Sequence, residues 1–267
     1  MHPTKPLQKA PTVHATISRI ALALALVCTQ VSQNSAFAQT AEISEQALQQ
    51  ANAFIKQGNN SRDKGDFQQA IRDFSQAIAI LPNDFAAYYN RGLSYTNLND
   101  HSSAIRDFTQ AITIKPNDAA LHYSRGLSYS NLNDHSSAIR DYSQAIAINP
   151  NYANVYINRG ALYKNLKDES SAIRDFTQAI AIDPSYAIAY YNRGSTYAYL
   201  KDHSSAIRDY TQAIAINPSY AEAYNNRAGS FADKKDYRSA TLDARKACSL
   251  GACKALEILG KNGWLRD

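Results

Sequence analysis

Several kinds of chemistry are missing from this chain at the level of composition. Its ten glycines never cluster, so no loop is built to cradle a phosphate. Only three cysteines are present, and no histidine lies near the C-terminal pair, which excludes a zinc ligand set. Charge of one sign is also lacking. Three of the 28 basic residues, Lys5, Lys9 and Arg19, fall within residues 1–38, a stretch that holds no acid. The remainder carries 25 basic and 23 acidic side chains, so nothing electrostatic points to nucleic acid. Ile20–Val27 is an apolar run too short to span a bilayer. What is abundant is ordinary: 45% apolar and 19% charged residues suit a folded protein and argue against disorder.

Met1–Ala38 reads as a secretory signal peptide. Its start is basic and acid-free, Ile20–Val27 forms the apolar core, and Ala36-Phe37-Ala38 offers the small-x-small pattern of a cleavage site before Gln39. A buried helix of the domain is the bland alternative, but the polar stretch 29–35 follows the run directly. A lipid on Cys28 fits poorly, because Val27 is bulky for that signal. The expected location is a periplasm or the cell exterior, with no membrane span in the mature chain. Residues 39–50 are polar and Gln-rich, which predicts either a short helical lead-in or disorder.

An internal repeat dominates the rest. Arg91–Asp118 recurs 34 residues later as Arg125–Tyr152, with 22 of 28 positions identical. A fixed period of that length indicates a solenoid. Six such units tile residues 51–254 without a gap, beginning at Ala51, Phe85, Ala119, Ala153, Ala187 and Ala221. In each unit a first helix carries an aromatic at position 4, a small residue at 8 and an aromatic at 11, with His122 and Ser61 as exceptions. That spacing places all three on one face. The small residues are Gly58, Gly92, Gly126, Gly160, Gly194 and Ala228, which let a second helix approach closely. Asp stands at position 16 in all six units, where it can cap the second helix. That helix repeats Ala at 20, an aromatic at 24 and Ala at 27, and Pro closes five units at 32.

Aromatic, Gly, Tyr, Ala, Phe or Tyr, Ala and Pro at these spacings resemble the tetratricopeptide repeat (TPR) family, over about three quarters of the chain. The resemblance implies an all-α solenoid of about six helix-turn-helix units. Position 7, often Leu in the family, is Arg in units two to six. Unit six departs further, with Ala228 for Gly, Ala244 for the aromatic and Leu250-Gly251-Ala252 for the Pro turn, as terminal units of solenoids often do. Cys253–Gly260 reads as a capping helix, with Ala255, Leu256, Ile258 and Leu259 over the apolar end, and residues 255–267 form the cap and tail.

The family places its first helices along a concave groove. Transferred to this chain, positions 5 and 6 give Tyr89, Asn90, Tyr123, Ile157, Asn158, Tyr191, Asn192, Asn225 and Asn226. A Tyr- and Asn-rich wall with little charge suits an extended peptide, since Tyr supplies stiff contact area and Asn can bond both faces of an amide. Soluble helix faces with Tyr partly covered by neighbouring units are the plain alternative. The family's clamp for a terminal carboxylate would need Lys, Asn, Asn, Lys and Arg where this chain has Ile55, Asn59, Asn90, Ala120 and Ser124. Every cation is missing, so that mode is not expected.

Catalysis is not expected either. Polar groups are copied from unit to unit, whereas a catalytic site is normally unique. His101, His135 and His203 each occupy position 17, a full repeat or more apart, too far to share a metal. His122 reads as a core histidine. No cofactor or metal is implied. Arg at 7 and Asp at 23 recur together, which predicts ion pairs within or between units, or else solvated charge. Cys248 and Cys253 remain after the leader. Residues five apart in one helix lie ~8 Å from each other, beyond disulfide reach. Gly251 can turn the chain between them, so a disulfide is expected in an oxidising compartment, with two free thiols as the alternative.

The expectation is therefore an exported, non-catalytic scaffold that holds an extended peptide or partner protein in the groove. A carbohydrate or cell-wall ligand, and a non-catalytic subunit of an envelope enzyme, are the alternatives. Exposed solenoid ends also leave weak self-association open.

Overall fold

The structure is a computed structural model that describes residues 44–266. The predicted leader and residues 39–43 lie outside the described residues. The chain divides into two compact units, residues 1–53 and 54–267. Of the first, residues 44–53 are described: the Ser44 hydroxyl accepts from the Ala47 N–H at 3.2 Å and opens the first helix.

Among the described residues there are thirteen α-helices and no strand. They are α1 (Glu45–Asp63), α2 (Phe67–Ile80), α3 (Phe85–Asn97), α4 (His101–Ile114), α5 (Ala119–Asn131), α6 (His135–Ile148) and α7 (Ala153–Asn165). They continue as α8 (Glu169–Ile182), α9 (Ala187–Tyr199), α10 (His203–Ile216), α11 (Ala221–Asp233), α12 (Tyr237–Ser249) and α13 (Lys254–Lys261). The polar lead-in is thus helical from Glu45 onward.

Each turn inside a unit is built the same way. Position 15 takes a left-handed backbone in all six copies: Gly65, Asn99, Asn133, Lys167, Lys201 and Lys235. The next N–H reaches back to the carbonyl at position 11, as from Asp100 to Tyr95 at 2.9 Å, which satisfies the end of the first helix. The Asp at 16 then caps the second helix. Asp66, Asp100, Asp134, Asp168, Asp202 and Asp236 accept from the backbone N–H three residues on, at 3.0–3.1 Å. Second helices α2, α4, α6, α8 and α10 end two residues before Pro82, Pro116, Pro150, Pro184 and Pro218, where the ring forbids further helix.

The core follows the small-large pairing in the repeat. Phe74, Phe108, Tyr142, Phe176 and Tyr210 at position 24 are fully buried, each contributing about 1.5–3 kcal/mol by area. Their rings lie over the glycines at position 8. A Cβ added at Gly58, Gly92 or Gly126 would sit 2.7 Å from the ring below it. Ala at positions 20 and 27 is fully buried in all six units, keeping the two helices of a pair close.

Unit six changes both partners at once. Ala228 replaces Gly and Ala244 replaces the ring, and both are buried in one cluster with Ala240, Ala255 and Leu259. Helix α13 therefore fills the room that a ring at 244 would occupy. Ile258 was expected to face the stack, but it is 46% exposed, whereas Ala255 and Leu259 are buried. Trp264 lies against Tyr237 with ring centroids 5.1 Å apart, so the tail packs back on α12. Cys248 and Cys253 form a disulfide, with Cα atoms 4.0 Å apart, across the turn at Gly251, where φ is +100°.

Candidate functional site

From α3 onward, each second helix packs on its own first helix and on the first helix of the next unit. First helices of successive units also approach one another directly, α3 to α5, α7 to α9 and α9 to α11. Second helices make no comparable approach among the described residues. The first helices are therefore the crowded side of the array, and their positions 5, 6, 9, 12 and 13 share one wall.

The charged pair at positions 7 and 23 fixes this wall to the helices behind it. Arg91, Arg125, Arg159, Arg193 and Arg227 each donate two parallel hydrogen bonds to Asp107, Asp141, Asp175, Asp209 and Asp243 of the same unit, at 2.6–2.8 Å. The remaining Nη1 of each Arg donates to a hydroxyl of the preceding unit: Ser75, Thr109, Ser143, Thr177 and Thr211. One side chain thus joins two units. The aspartates are almost wholly buried and the arginines keep a small exposed edge. The Asp107 carboxylate raises the Arg91 guanidinium above its ordinary value against the opposing effect of burial.

The predicted groove residues divide into three groups. Tyr123 and Tyr191 are half-buried, and their hydroxyls accept from Asn158 at 2.8 Å and Asn226 at 3.0 Å, each in the next unit. Their rings lean on Tyr152 and Tyr220, with centroids 5.1 and 4.9 Å apart. These four residues knit neighbouring units together while leaving one edge on the wall. Burial pushes the Tyr123 hydroxyl up, and the Asn158 hydrogen bond partly offsets it.

Tyr89, Asn90 and Asn192 form the second group. Tyr89 tilts against Phe108 at 5.9 Å. Asn90 accepts from Arg62 at 2.7 Å. Asn192 is half-buried, and no hydrogen bond to its side chain is present among the described residues.

The third group corrects the sequence expectation. Ile157 is 8% exposed and packs with Tyr156, Ala179 and Ala189, so it belongs to the core. Without a hydroxyl to hold at the surface, an apolar side chain at position 5 folds inward. Asn225 turns away from any ligand role: its Oδ1 accepts from the Ala255 N–H at 2.9 Å and anchors the start of α13.

The histidines gather no chemistry. His122 Nε2 bonds the Pro116 carbonyl at 3.0 Å, which makes that nitrogen the protonated one. Its Nδ1 faces Asp141 at 3.7 Å without a hydrogen bond. No group of His, Cys, Asp and Glu among the described residues is arranged to hold a metal ion. No described helix is long and apolar enough to cross a membrane.

One feature escaped the sequence reading. A cavity of about 340 Å³ opens at the end of the wall, between α9, α10, α11 and α13. Its only signal in the sequence is Gly229, an extra glycine directly after position 8.

Comparison with known proteins places this architecture. The tetratricopeptide repeat family model matches residues 85–118, 119–152, 153–186 and 187–220. A further TPR repeat model matches residues 58–99. No curated protein matches. Among solved structures, YrrB, described as a TPR protein with an unusual peptide-binding site, is 24% identical, with TM-score 0.57 over 65% of this chain and 90% of its own. PilW, described as a widely conserved type IV pilus biogenesis factor, is 17% identical, with TM-score 0.63 over 73% of this chain and 91% of its own. A tetratricopeptide repeat protein from Parabacteroides merdae is 20% identical, with TM-score 0.66 over 75% of this chain and 80% of its own. Likeness at these identities concerns the fold. With its repeats matched over half its length, the chain belongs to the tetratricopeptide repeat family, a typically non-catalytic class of scaffold for protein–protein interaction.

Proposed function

We propose that the protein is an exported scaffold that holds an extended segment of a partner protein along the wall formed by α3, α5, α7, α9 and α11. The observation that carries this reading is the chemistry of that wall. Position 6 stays polar in every unit from two to six, as Asn90, Ser124, Asn158, Asn192 and Asn226. The tyrosines beside them are held in fixed orientations by neighbouring units. Pre-set aromatic edges beside amide groups give an extended main chain both contact area and hydrogen bonds at low entropic cost. The peptide-binding site named for YrrB supports the same use of a related fold.

Export rests on residues 1–38, whose basic start, apolar run and small-x-small site match a secretory signal. Recovery of the protein from its native envelope or medium with Gln39 at the N-terminus is expected. Recovery inside the cell with Met1 retained would remove this part of the proposal.

A photo-reactive phenylalanine analogue at Asn192, on the wall, and at Arg174, on the exposed face of α8, tests the site in the full chain. Partner cross-links at 192 and none at 174 are expected. Cross-links of equal yield at both, or at 174 alone, would place binding elsewhere.

A further inference from the structure

The glycine after position 8 in unit six has no structural task. Glycines 58, 92, 126 and 160 lie so close to the ring at position 24 that a Cβ would meet it within 2.8 Å. A Cβ added at Gly229 meets nothing within 4 Å. It sits well inside α11, where glycine costs stability relative to alanine. Every other unit has a side chain at this place: Asn59, Leu93, Leu127, Ala161 and Ser195. Position 12 changes in the same region. Arg62, Thr96, Ser130 and Lys164 give way to Ala198 and Ala232.

Three shortened positions therefore open the 340 Å³ cavity at the end of the wall. Its far side is pre-built. Helix α13 supplies Ile258 and Leu259, and is tethered by the Asn225–Ala255 hydrogen bond and the Cys248–Cys253 disulfide. The volume exceeds the ~150 Å³ that accommodates a benzene ring in an apolar site. Small apolar groups line most of the cavity. One hydrogen-bonding group lies inside, where Tyr210 donates to Ser195 at 3.2 Å. The ionisable groups at its mouth are mixed: Lys254, and Asp233 facing His203 at 3.7 Å. With both signs present, nothing in the lining selects a charged occupant.

We propose that this cavity receives an uncharged aromatic side chain of the bound partner segment, and so fixes the register in which that segment lies. The proposal rests on the reading of the first-helix wall as a peptide site. A segment running along α3 to α11 ends at this cavity, and an aromatic side chain there would anchor it.

Titration of the full chain with N-acetyl-phenylalaninamide, followed by amide chemical shifts, tests it. Saturable shifts confined to α9, α11 and α13 are expected, and N-acetyl-glutamate amide should give none. Gly229→Leu fills the cavity from open space and should weaken binding of the neutral probe at least tenfold. Ala161→Leu, at the same position in unit four, should leave it unchanged. Ala232→Met provides a second filling variant should Gly229→Leu fail to fold. Equal binding to the parent and both filling variants, or equal shifts with the charged probe, would overturn the proposal. Cross-linking at Asn192 without probe binding removes this inference and leaves the groove reading intact. Probe binding that depends on Gly229, with cross-links only at Arg174, does the reverse.

Discussion

Arg159 and Asp175 meet through two parallel hydrogen bonds of 2.8 Å, one from Nε and one from Nη2. The pair is asymmetric in its exposure, 16% for the Arg side chain and 5% for the Asp. Removing the arginine leaves a carboxylate that water hardly reaches. Removing the aspartate leaves a guanidinium that can turn toward solvent and still donate to Ser143. Arg159→Ala should therefore destabilise more than Asp175→Ala. The larger loss should approach about 3–5 kcal/mol, the cost of stranding one partner of a buried pair. Urea denaturation of both variants checks the order, and equal or reversed losses would refute it.

Gly126 lies 2.7 Å, measured from an ideal Cβ, from the ring of Tyr142. That ring is fully buried and cannot swing aside. Gly126→Ala should cost about 1–3 kcal/mol through overpacking, despite the better helix propensity of alanine. In Gly126→Ala/Tyr142→Leu the loss attributable to alanine should shrink, since the smaller side chain removes the clash. A double variant that shows simple additivity would contradict the contact.

Lys201 holds a left-handed backbone with φ of 64°. A residue with a Cβ pays about 1–2 kcal/mol there, and glycine gives back about 0.5–1 through its freer unfolded state. Lys201→Gly should stabilise by up to about 1 kcal/mol. Asn133→Gly should gain less, because asparagine tolerates this conformation better. Thermal midpoints of the two variants decide it, and a fall for Lys201→Gly would contradict the turn geometry.

The capping aspartates set the response to acid. Hydrogen bonds from the hydroxyl and N–H of Ser103 hold Asp100 below its ordinary value of 3.8, and the equivalent serines do the same for Asp168, Asp202 and Asp236. At Asp134 the Ser137 N–H leads and its hydroxyl follows. Because the folded form binds these protons less readily, the stabilisation is complete above the ordinary value. It is lost as pH falls through the lowered one. Stability should be flat from neutrality to about pH 5 and drop below about pH 4. Asp202→Asn should flatten that drop, since asparagine caps without titrating.

The repeat made most of this legible before any coordinates. Gly at 8 and a ring at 24 appear together in five copies because neither packs without the other, and Arg at 7 with Asp at 23 recurs for the same reason. Position-by-position transfer failed where a side chain departs from its copies. Ile157 cannot hydrogen-bond at the surface as Tyr123 does, so it is buried. Asn225 has α13 as its neighbour where earlier units have another repeat, and it caps that helix. The cavity was invisible because it is made of missing side chains. Only packing shows that Gly229 has empty space above it whereas Gly126 has a ring.

The central claim is that the partner lies along the first helices. Hydrogen exchange of the full chain, with and without the partner recovered through cross-linking at Asn192, measures this directly. Added protection in α3, α5, α7, α9 and α11, with α4, α6, α8 and α10 unchanged, is the predicted result. Protection concentrated in the second helices would contradict it.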